Sequence, residues 1–293
     1  MKKRLLITID TEMDADTHWI KGYPRTYTSI TEGIPRFYRP LWNKYGVNPI
    51  YFVSPEVLDD GESCVVLKSE IENGAIIGAH LHPDFIEPEM TPYGEPPLEL
   101  FPCNGYDYDT EKRKIENLKD KIKKRLGVTP VWYRAARFGA DEDTIKILAE
   151  LGFKHDSSYT PGINWKTKGG PDHSLKHGMT HIVNPFGIIE HPITIIGKRG
   201  GIIGRVLPDT WLFYRWLRPT HMTFLEEKRI IDDASRSEMC EIVLMFHSME
   251  VMINKTPYVR SAWMQRYFMW RLEKTINYAK KIGFFPCEEE ENE

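Results

Sequence analysis

The stretch "GAHLHPD" sets two imidazoles one residue apart and closes them with Pro83 and Asp84. On an extended strand, side chains at i and i+2 share a face, so His80 and His82 can reach one ion from a strand end. Asp10 and Glu12, in "TIDTE", have the same spacing. Two nitrogens and a carboxylate oxygen, with a position open for water, make the ligand set of a catalytic zinc site. Cobalt and nickel suit the same donors. Each residue alone has a plainer reading, as a capping acid or a packed imidazole. Those plain readings are independent of one another, whereas a site needs all of the residues together.

More ionisable residues fall where apolar, β-branched runs end. Arg134 and Arg137 lie in "YRAARFG", Asp156 in "HDSSY" and His247 in "LMFHSME". In parallel α/β folds the C-terminal ends of the strands carry the chemistry. Five separate segments with a charged or titratable group in that position point to one shared site.

The elements that must position these groups alternate. "RLLITI", "PIYFV", "GAIIGAHLH", "VWYRA", "FKHDSS", "GIIEHPITII" and "EIVLMFHS" read as strands. Between them, "SITEGIPRFYRPLWNKYG" reads as a proline-kinked helix and "EVLDDGESCVVLKSEIENG" as a helix broken near Gly61. "TEKRKIENLKDKIKKRLG" carries Ile115, Leu118, Ile122 and Leu126 at helical spacing and stops at Gly127. "DEDTIKILAELG" has acids in its first turn and Gly152 past its end. A helical region over 208–238 and a long helix over 258–282 complete the pattern. Such alternation predicts a parallel sheet, open or closed into a barrel. No repeat and no linker divides the chain, so residues 1–293 are expected to form one domain ending in an acidic tail over 288–293.

Net charge is 39 − 42 = −3, which offers no global case for binding nucleic acid or an anionic membrane. Cysteines 64, 103, 240 and 287 are far apart, in neither a zinc-cluster nor a disulfide spacing, which fits a reducing compartment. The opening "MKKRLLITID" has too short an apolar run for a signal peptide, and no run approaches the ~20 residues of a membrane span. A cytoplasmic protein is expected.

The ordered set "TIDTE", "GAHLHPD", "YRAARFG", "DSSY" and "LMFHSME" resembles the NodB-homology polysaccharide deacetylases, carbohydrate esterase family four. The likeness runs from about residue 4 to 285, with "PIYFVSPEVL" and "IENGAIIGAH" in support. It implies a distorted (β/α) barrel of about seven mostly parallel strands. It also implies metal-dependent hydrolysis of N-acetyl groups on sugars. By position, it makes Asp10 the catalytic base, Arg134 the arginine that holds the base, and His247 the catalytic acid. Asp156 falls near the acid that tunes that histidine. The family's usual metal aspartate, directly after the base, is Thr11 here, so Glu12 is assigned the metal. His80 matches the first residue of the usual His-x-x-x-His segment. Asp84 stands at the second position, leaving His82 as the replacement ligand and Asp84 as an oxygen alternative.

Arg137, Tyr159 and His191 are the candidates for contact with substrate; His191 lies beside Glu190 in "GIIEHPITI". "DHSLKHGMTH" places His173, His177 and His181 at spacing four, yet Pro171 and Gly178 read as loop rather than a second metal site. "RVLPDTWLFYRWLRPTHM" and "YVRSAWMQRYFMWRLEKTINYAKK" mix aromatic and basic residues. They read as packing helices, with a peripheral membrane contact as the alternative. The leading expectation is a metal-dependent amide hydrolase that removes an N-acetyl group from a sugar or lipid-linked glycan during lipopolysaccharide or capsule synthesis. Two alternatives stay open: a deformylase or other small-amide hydrolase on the same barrel, and a catalytically silent barrel that binds carbohydrate.

Overall fold

A computed structural model describes residues 3–98, 100–198 and 213–286. Seven strands run parallel in the order β10-β1-β2-β3-β4-β5-β7, matching the number that the resemblance implies. They are β1 (Lys3–Thr11), β2 (Ile50–Val53), β3 (Ile76–Leu81), β4 (Trp132–Ala135), β5 (His155–Asp156), β7 (Ile188–Glu190) and β10 (Glu241–His247). β6 (His181–Val183) pairs antiparallel with β7, and β11 (Phe284–Pro286) lies beside β1. β8 (Ile195–Lys198) and β9 (Tyr214–Trp216) form a separate antiparallel pair. The curled sheet is not closed by a strand ladder between β7 and β10 among the described residues. Instead, the Val243 N–H donates to Thr194 Oγ1 at 2.8 Å and the Met245 N–H to the Leu217 carbonyl at 3.2 Å.

Period-two alternation divides the strand side chains between two cores. Leu5, Ile7 and Ile9 of β1 face the helices, in a large cluster with Tyr51, Val53, Ile77, Ala79 and Leu244. Leu6, Phe52, Trp132, Val243 and Met245 form a second cluster inside the curl. Thr8, Asp10, Arg134 and His80 share the inward parity of this second set, one turn of the pleat nearer the strand ends. The inner cluster is therefore the floor beneath the polar groups.

The covering helices obey their sequence signals. A π-helical run over Ser29–Tyr38 contains Pro35 and passes into α1 (Arg39–Tyr45), as the kinked-helix reading required. α2 (Gly61–Glu72) begins at Gly61, and the short α3 (Pro102–Gly105) precedes α4 (Tyr108–Leu126). Asp107 caps α4 by accepting from the Thr110 N–H at 2.8 Å; Gly127 ends it at φ 83°; and Ile115, Leu118, Ile122 and Leu126 are buried. α5 (Glu142–Glu150), α6 (Phe224–Arg236) and α7 (Ala262–Ile282) follow. No described helix is long and apolar enough to cross a membrane.

Two expectations need correction. "GIIEHPITII" is not one strand: Pro192 cannot donate to a ladder, and the run divides into β7 and β8 on different sheets. The helix expected over 208–238 occupies only Phe224–Arg236, because Thr223 caps it in a reciprocal capping box and β9 lies ahead of it. Residues 208–212 of that expectation, the 205–212 half of the first aromatic-basic stretch and the acidic tail lie outside the described residues.

Glu227 of α6 is fully buried against α7, where the Thr275 hydroxyl donates to it at 2.6 Å. Burial pushes its carboxyl up to about 8. The folded state therefore holds a proton that the unfolded chain releases near its ordinary value. Stability falls as pH rises from about 4.5 through about 8, and the full cost is present above that. Glu227→Gln should remove this slope. Thermal melts at pH 5 and pH 9 should differ less for the variant than for the parent; an unchanged difference would contradict the assignment.

Candidate functional site at the mouth of the curled sheet

Strand register does the first part of the positioning. Asp10 pairs with His247 across β1 and β10, and His80 pairs with Arg134 across β3 and β4. The ladder through β2 sets Asp10 level with Phe52, Gly78 and Trp132, so His80 and Arg134 stand one pleat further along, and the Arg134 side chain reaches back to Asp10. Glu12 follows one residue past β1.

Arg134 is completely buried and makes four side-chain hydrogen bonds. Its Nη1 donates to Asp10 Oδ1 at 2.7 Å, Nη2 to Thr8 Oγ1 at 3.0 Å and Ser157 Oγ at 2.8 Å, and Nε to the Ser157 carbonyl at 2.9 Å. The guanidinium lies over the Phe52 ring, 4.2 Å from its centroid. Gly78 makes that possible, since a Cβ there would stand 2.6 Å from the same ring. Burial alone would raise the Asp10 carboxyl; Arg134, then His80 and His247, override it and hold it below the usual range.

The Arg134 carbonyl also accepts from His80 Nδ1 at 2.9 Å, which assigns the ring proton to that nitrogen. His80 Nε2 then points to Glu12 Oε1 at 3.1 Å, and His82 Nε2 reaches the same oxygen at 3.0 Å. Burial opposes charge on both rings. The Asp10 and Glu12 carboxylates nevertheless raise His80, while Lys21 adds to burial in lowering His82. Glu12 would be raised by burial, but Lys21 and the two imidazoles bring it well below the ordinary value. One donor atom each from Glu12, His80 and His82 lies within 4.8 Å of the others, and Asp10, Glu12 and His247 form a second such group. Two imidazole nitrogens and a carboxylate oxygen aimed at one point, with Glu12 and His80 buried and His82 half-buried, fit a divalent ion of the zinc, cobalt or nickel type. Orientation of His80 through its second nitrogen is the support that metal-binding imidazoles ordinarily have. Asp84 is outside this group: its Oδ1 accepts from the Leu98 N–H at 2.7 Å and from Thr91 Oγ1 at 3.2 Å, anchoring the following loop.

Facing Asp10, His247 directs Nε2 toward Asp10 Oδ2 and Glu12 Oε1, each 3.9 Å away. Its Nδ1 donates to Glu250 Oε1 at 2.9 Å. Arg218 donates to the same carboxylate oxygen, and Thr220 Oγ1 to Oε2 at 2.6 Å. Burial would raise Glu250, but Arg218 and His247 bring it down to about 2, so it is a fixed anion behind the ring. The expectation that Asp156 tunes His247 is corrected here. Asp156 is buried, accepts from Ser158 Oγ at 2.6 Å and interacts with Glu190, and burial raises both carboxyls.

Two of the three expected substrate contacts are also displaced. Tyr159 is buried, with its N–H on Glu190 Oε1 and its hydroxyl accepting from Lys176 at 3.1 Å. His191 is buried against Trp132 and donates from Nδ1 to Glu241 Oε1 at 2.7 Å. Both face the packed interior because the strand ending at Glu190 buries its neighbours. Arg137 does line the cleft. His173 is buried, with Nδ1 accepting from the Thr160 N–H at 3.2 Å and Nε2 donating to the Ala140 carbonyl at 3.2 Å. The His173–His177–His181 run thus forms no metal cluster among the described residues.

The cleft holds about 440 Å³ and is walled by Trp19, Phe85, Phe138, His221 and Tyr258 besides the groups above. Trp19 and Lys21 come from a loop gathered by Asp14, which accepts from Thr26, Thr28 and Ser29 at 2.7–3.1 Å. Trp19 packs on His247 with ring centroids 5.1 Å apart, and Lys21 Nζ lies 2.6 Å from Glu12 Oε2. Sequence reasoning missed Glu250, Arg218, Trp19 and Lys21. Glu250 had a signal, standing three residues after His247 in "HSME" and so back on the same side of a helical turn.

No family model matches this sequence, and no curated protein matches it. Solved structures do match. A crystal structure assigned as a polysaccharide deacetylase from Mycobacterium smegmatis superposes with a TM-score of 0.54 at 16% identity, over 100% of this chain and 96% of that one. A 4-alpha-glucanotransferase from Thermococcus litoralis gives 0.52 at 14% identity, over 92% of this chain and 37% of that chain. A family 4 carbohydrate esterase pseudoenzyme from Bacillus anthracis gives 0.49 at 12% identity, over 97% and 63%. The fold is therefore the NodB-like, mostly parallel curled (β/α) half-barrel of the polysaccharide deacetylases. A deacetylase and a glucanotransferase both superpose on it, so the reaction has to be argued from the site.

Arg134→Met would leave the Asp10 carboxylate buried without its partner, at a cost of about 3–5 kcal/mol. Urea unfolding of that variant should show a loss of this size. Arg134→Lys should recover only part of it, because the three donors of a compact ammonium cannot replace the four hydrogen bonds of the planar fork. A loss within 1 kcal/mol would contradict the pairing.

Proposed function

We propose that the protein is a metal-dependent amide hydrolase that removes the N-acetyl group from a sugar. The observation that carries this reading is the pairing of two opposed groups across one donor set. Asp10, kept anionic by Arg134, lies on one strand, and His247, backed by anionic Glu250, lies on the next. Glu12, His80 and His82 would hold the ion, which when bound supplies a Lewis acid for the amide carbonyl and lowers the pKa of water.

The chain's own residues then have separate tasks. Asp10 Oδ2 takes a proton from the attacking water as the carbon–oxygen bond forms. Arg134 keeps the carboxylate oriented and ionised until that moment. His247 gives a proton from Nε2 to the amide nitrogen as the carbon–nitrogen bond breaks, because an unprotonated amine leaves poorly. Glu250 holds the Nδ1 proton in place and stabilises the cationic ring. The products are a carboxylate and an amine, with one water consumed. The deacetylases of this fold support the choice of an N-acyl sugar over another amide.

His247→Ala should cut acetate release from N-acetylated sugars by about 10²–10⁴-fold while metal content per chain stays at the parent level. Activity within threefold of the parent would remove His247 from the acid role. Glu250→Gln should keep the metal and lower kcat, since a neutral partner no longer holds the Nδ1 proton against an anion. A kcat equal to the parent's would show that Glu250 only packs there.

A further inference from the structure

The Glu12 carboxylate is divided between two kinds of partner. Its Oε1 lies 3.1 Å from His80 Nε2 and 3.0 Å from His82 Nε2, whereas Oε2 lies 2.6 Å from Lys21 Nζ. The second contact is an ion pair, and Nζ has no hydrogen-bond partner among the described residues, so this carboxylate is what matches its charge.

Local structure holds the lysine in that place. Asp16 Oδ1 accepts from the His18 and Ile20 N–H groups at 2.7 and 2.9 Å, and the Asp16 N–H donates to the Ile20 carbonyl at 2.9 Å. Lys21 is the next residue after this closed turn. Its ammonium also faces the Phe85 ring, 5.6 Å from the centroid, and Phe85 stacks on His82 at 26° with centroids 6.1 Å apart. The Lys21 side chain lines the cleft with 11% exposure, while Nζ itself is covered. Substrate therefore does not reach the ammonium, and any effect on the reaction passes through Glu12.

A carboxylate beside a divalent ion binds through one oxygen or through both. Binding through both would fill a position that a catalytic ion keeps open for water and substrate. An ammonium on Oε2 opposes that in two ways, by engaging the oxygen and by repelling the ion. We infer that Lys21 is a positioning residue that restricts Glu12 to ligation through Oε1, keeping a coordination position open and weakening the hold on the metal. The inference rests on the metal-dependent reading of this site and adds a residue outside the donor set.

The test is cobalt binding to the full-length protein after removal of bound metal, followed by calorimetry and by the visible d–d absorption. Lys21→Met should bind cobalt about tenfold or more tighter than the parent, because the repelling charge is gone. Its d–d band should weaken, since a second oxygen from Glu12 raises the coordination number. Lys21→Gln, which keeps a donor without the charge, should also bind more tightly and serves if the methionine variant does not fold. Lys21→Arg should retain the parent's affinity and spectrum. Weaker binding by the uncharged variants, or an affinity and a band both equal to the parent's, would overturn the inference; a merely structural lysine would change thermal stability and leave the band unmoved. If the parent binds no cobalt, the metal-dependent reading fails and the inference falls with it. If the parent binds cobalt and the uncharged variants match it, the inference fails alone.

Discussion

The buried ion pair between Arg134 and Asp10 is the constraint on which the rest of the site depends. This guanidinium has no exposure to water; its hydrogen-bond partners come from β1 and the segment after β5, and the face of Phe52 on β2 packs against it. The carbonyl of the same residue sets the ring proton of His80 on β3. One residue thereby couples the state of the base to the orientation of a metal-ligand candidate. The pair need not stabilise the fold to be required, because buried ion pairs often do little better than apolar replacements. What it provides is a single arrangement of four strand ends.

Around this fixed centre, the opposite side of the cleft is assembled from the last part of the chain. The register of β10 against β1 puts His247 level with Asp10, and the tight helical turn after it returns Glu250 behind the ring. Tyr38 and Ser29 of the π-helical run contact Ser248, tying that turn to the helical layer. The outer face of the cleft is set by the Asp14-anchored loop, which lays Trp19 across His247 and Lys21 against Glu12. The strand ends are held by ladders on both sides, whereas this loop is held by the carboxylates of Asp14 and Asp16 and by Lys21 against Glu12.

Much of this was legible in the residues. Asp10, His80, Arg134 and His247 sit at the ends of apolar runs, and the parallel-sheet register brings them together as two pairs one pleat apart. The period-two spacing of His80 and His82 predicts that both rings share a face, and both Nε2 atoms lie 3.0–3.1 Å from one oxygen of Glu12. Illegible parts share a physical cause: they depend on which face a short segment presents after the chain leaves the sheet. Asp156 looked equivalent to the other strand-end groups, yet β5 is only two residues long and its carboxyl turns inward to Ser158 and Glu190. Tyr159, after β5, and His191, after β7, likewise turn into the interior, onto Glu190 and Glu241. Lys21 and Trp19 lie in a loop with no periodicity, so nothing in their spacing announced them.

The convergence of the two imidazoles and Glu12 on one ion is the claim most open to direct measurement. X-ray absorption on the zinc-loaded protein should show one ion per chain with two imidazole nitrogens at about 2.0–2.1 Å and carboxylate oxygen beside them. In His82→Ala, one of the two nitrogen scatterers should disappear. A spectrum with no imidazole in the ligand shell, or one unchanged by that substitution, would contradict the account.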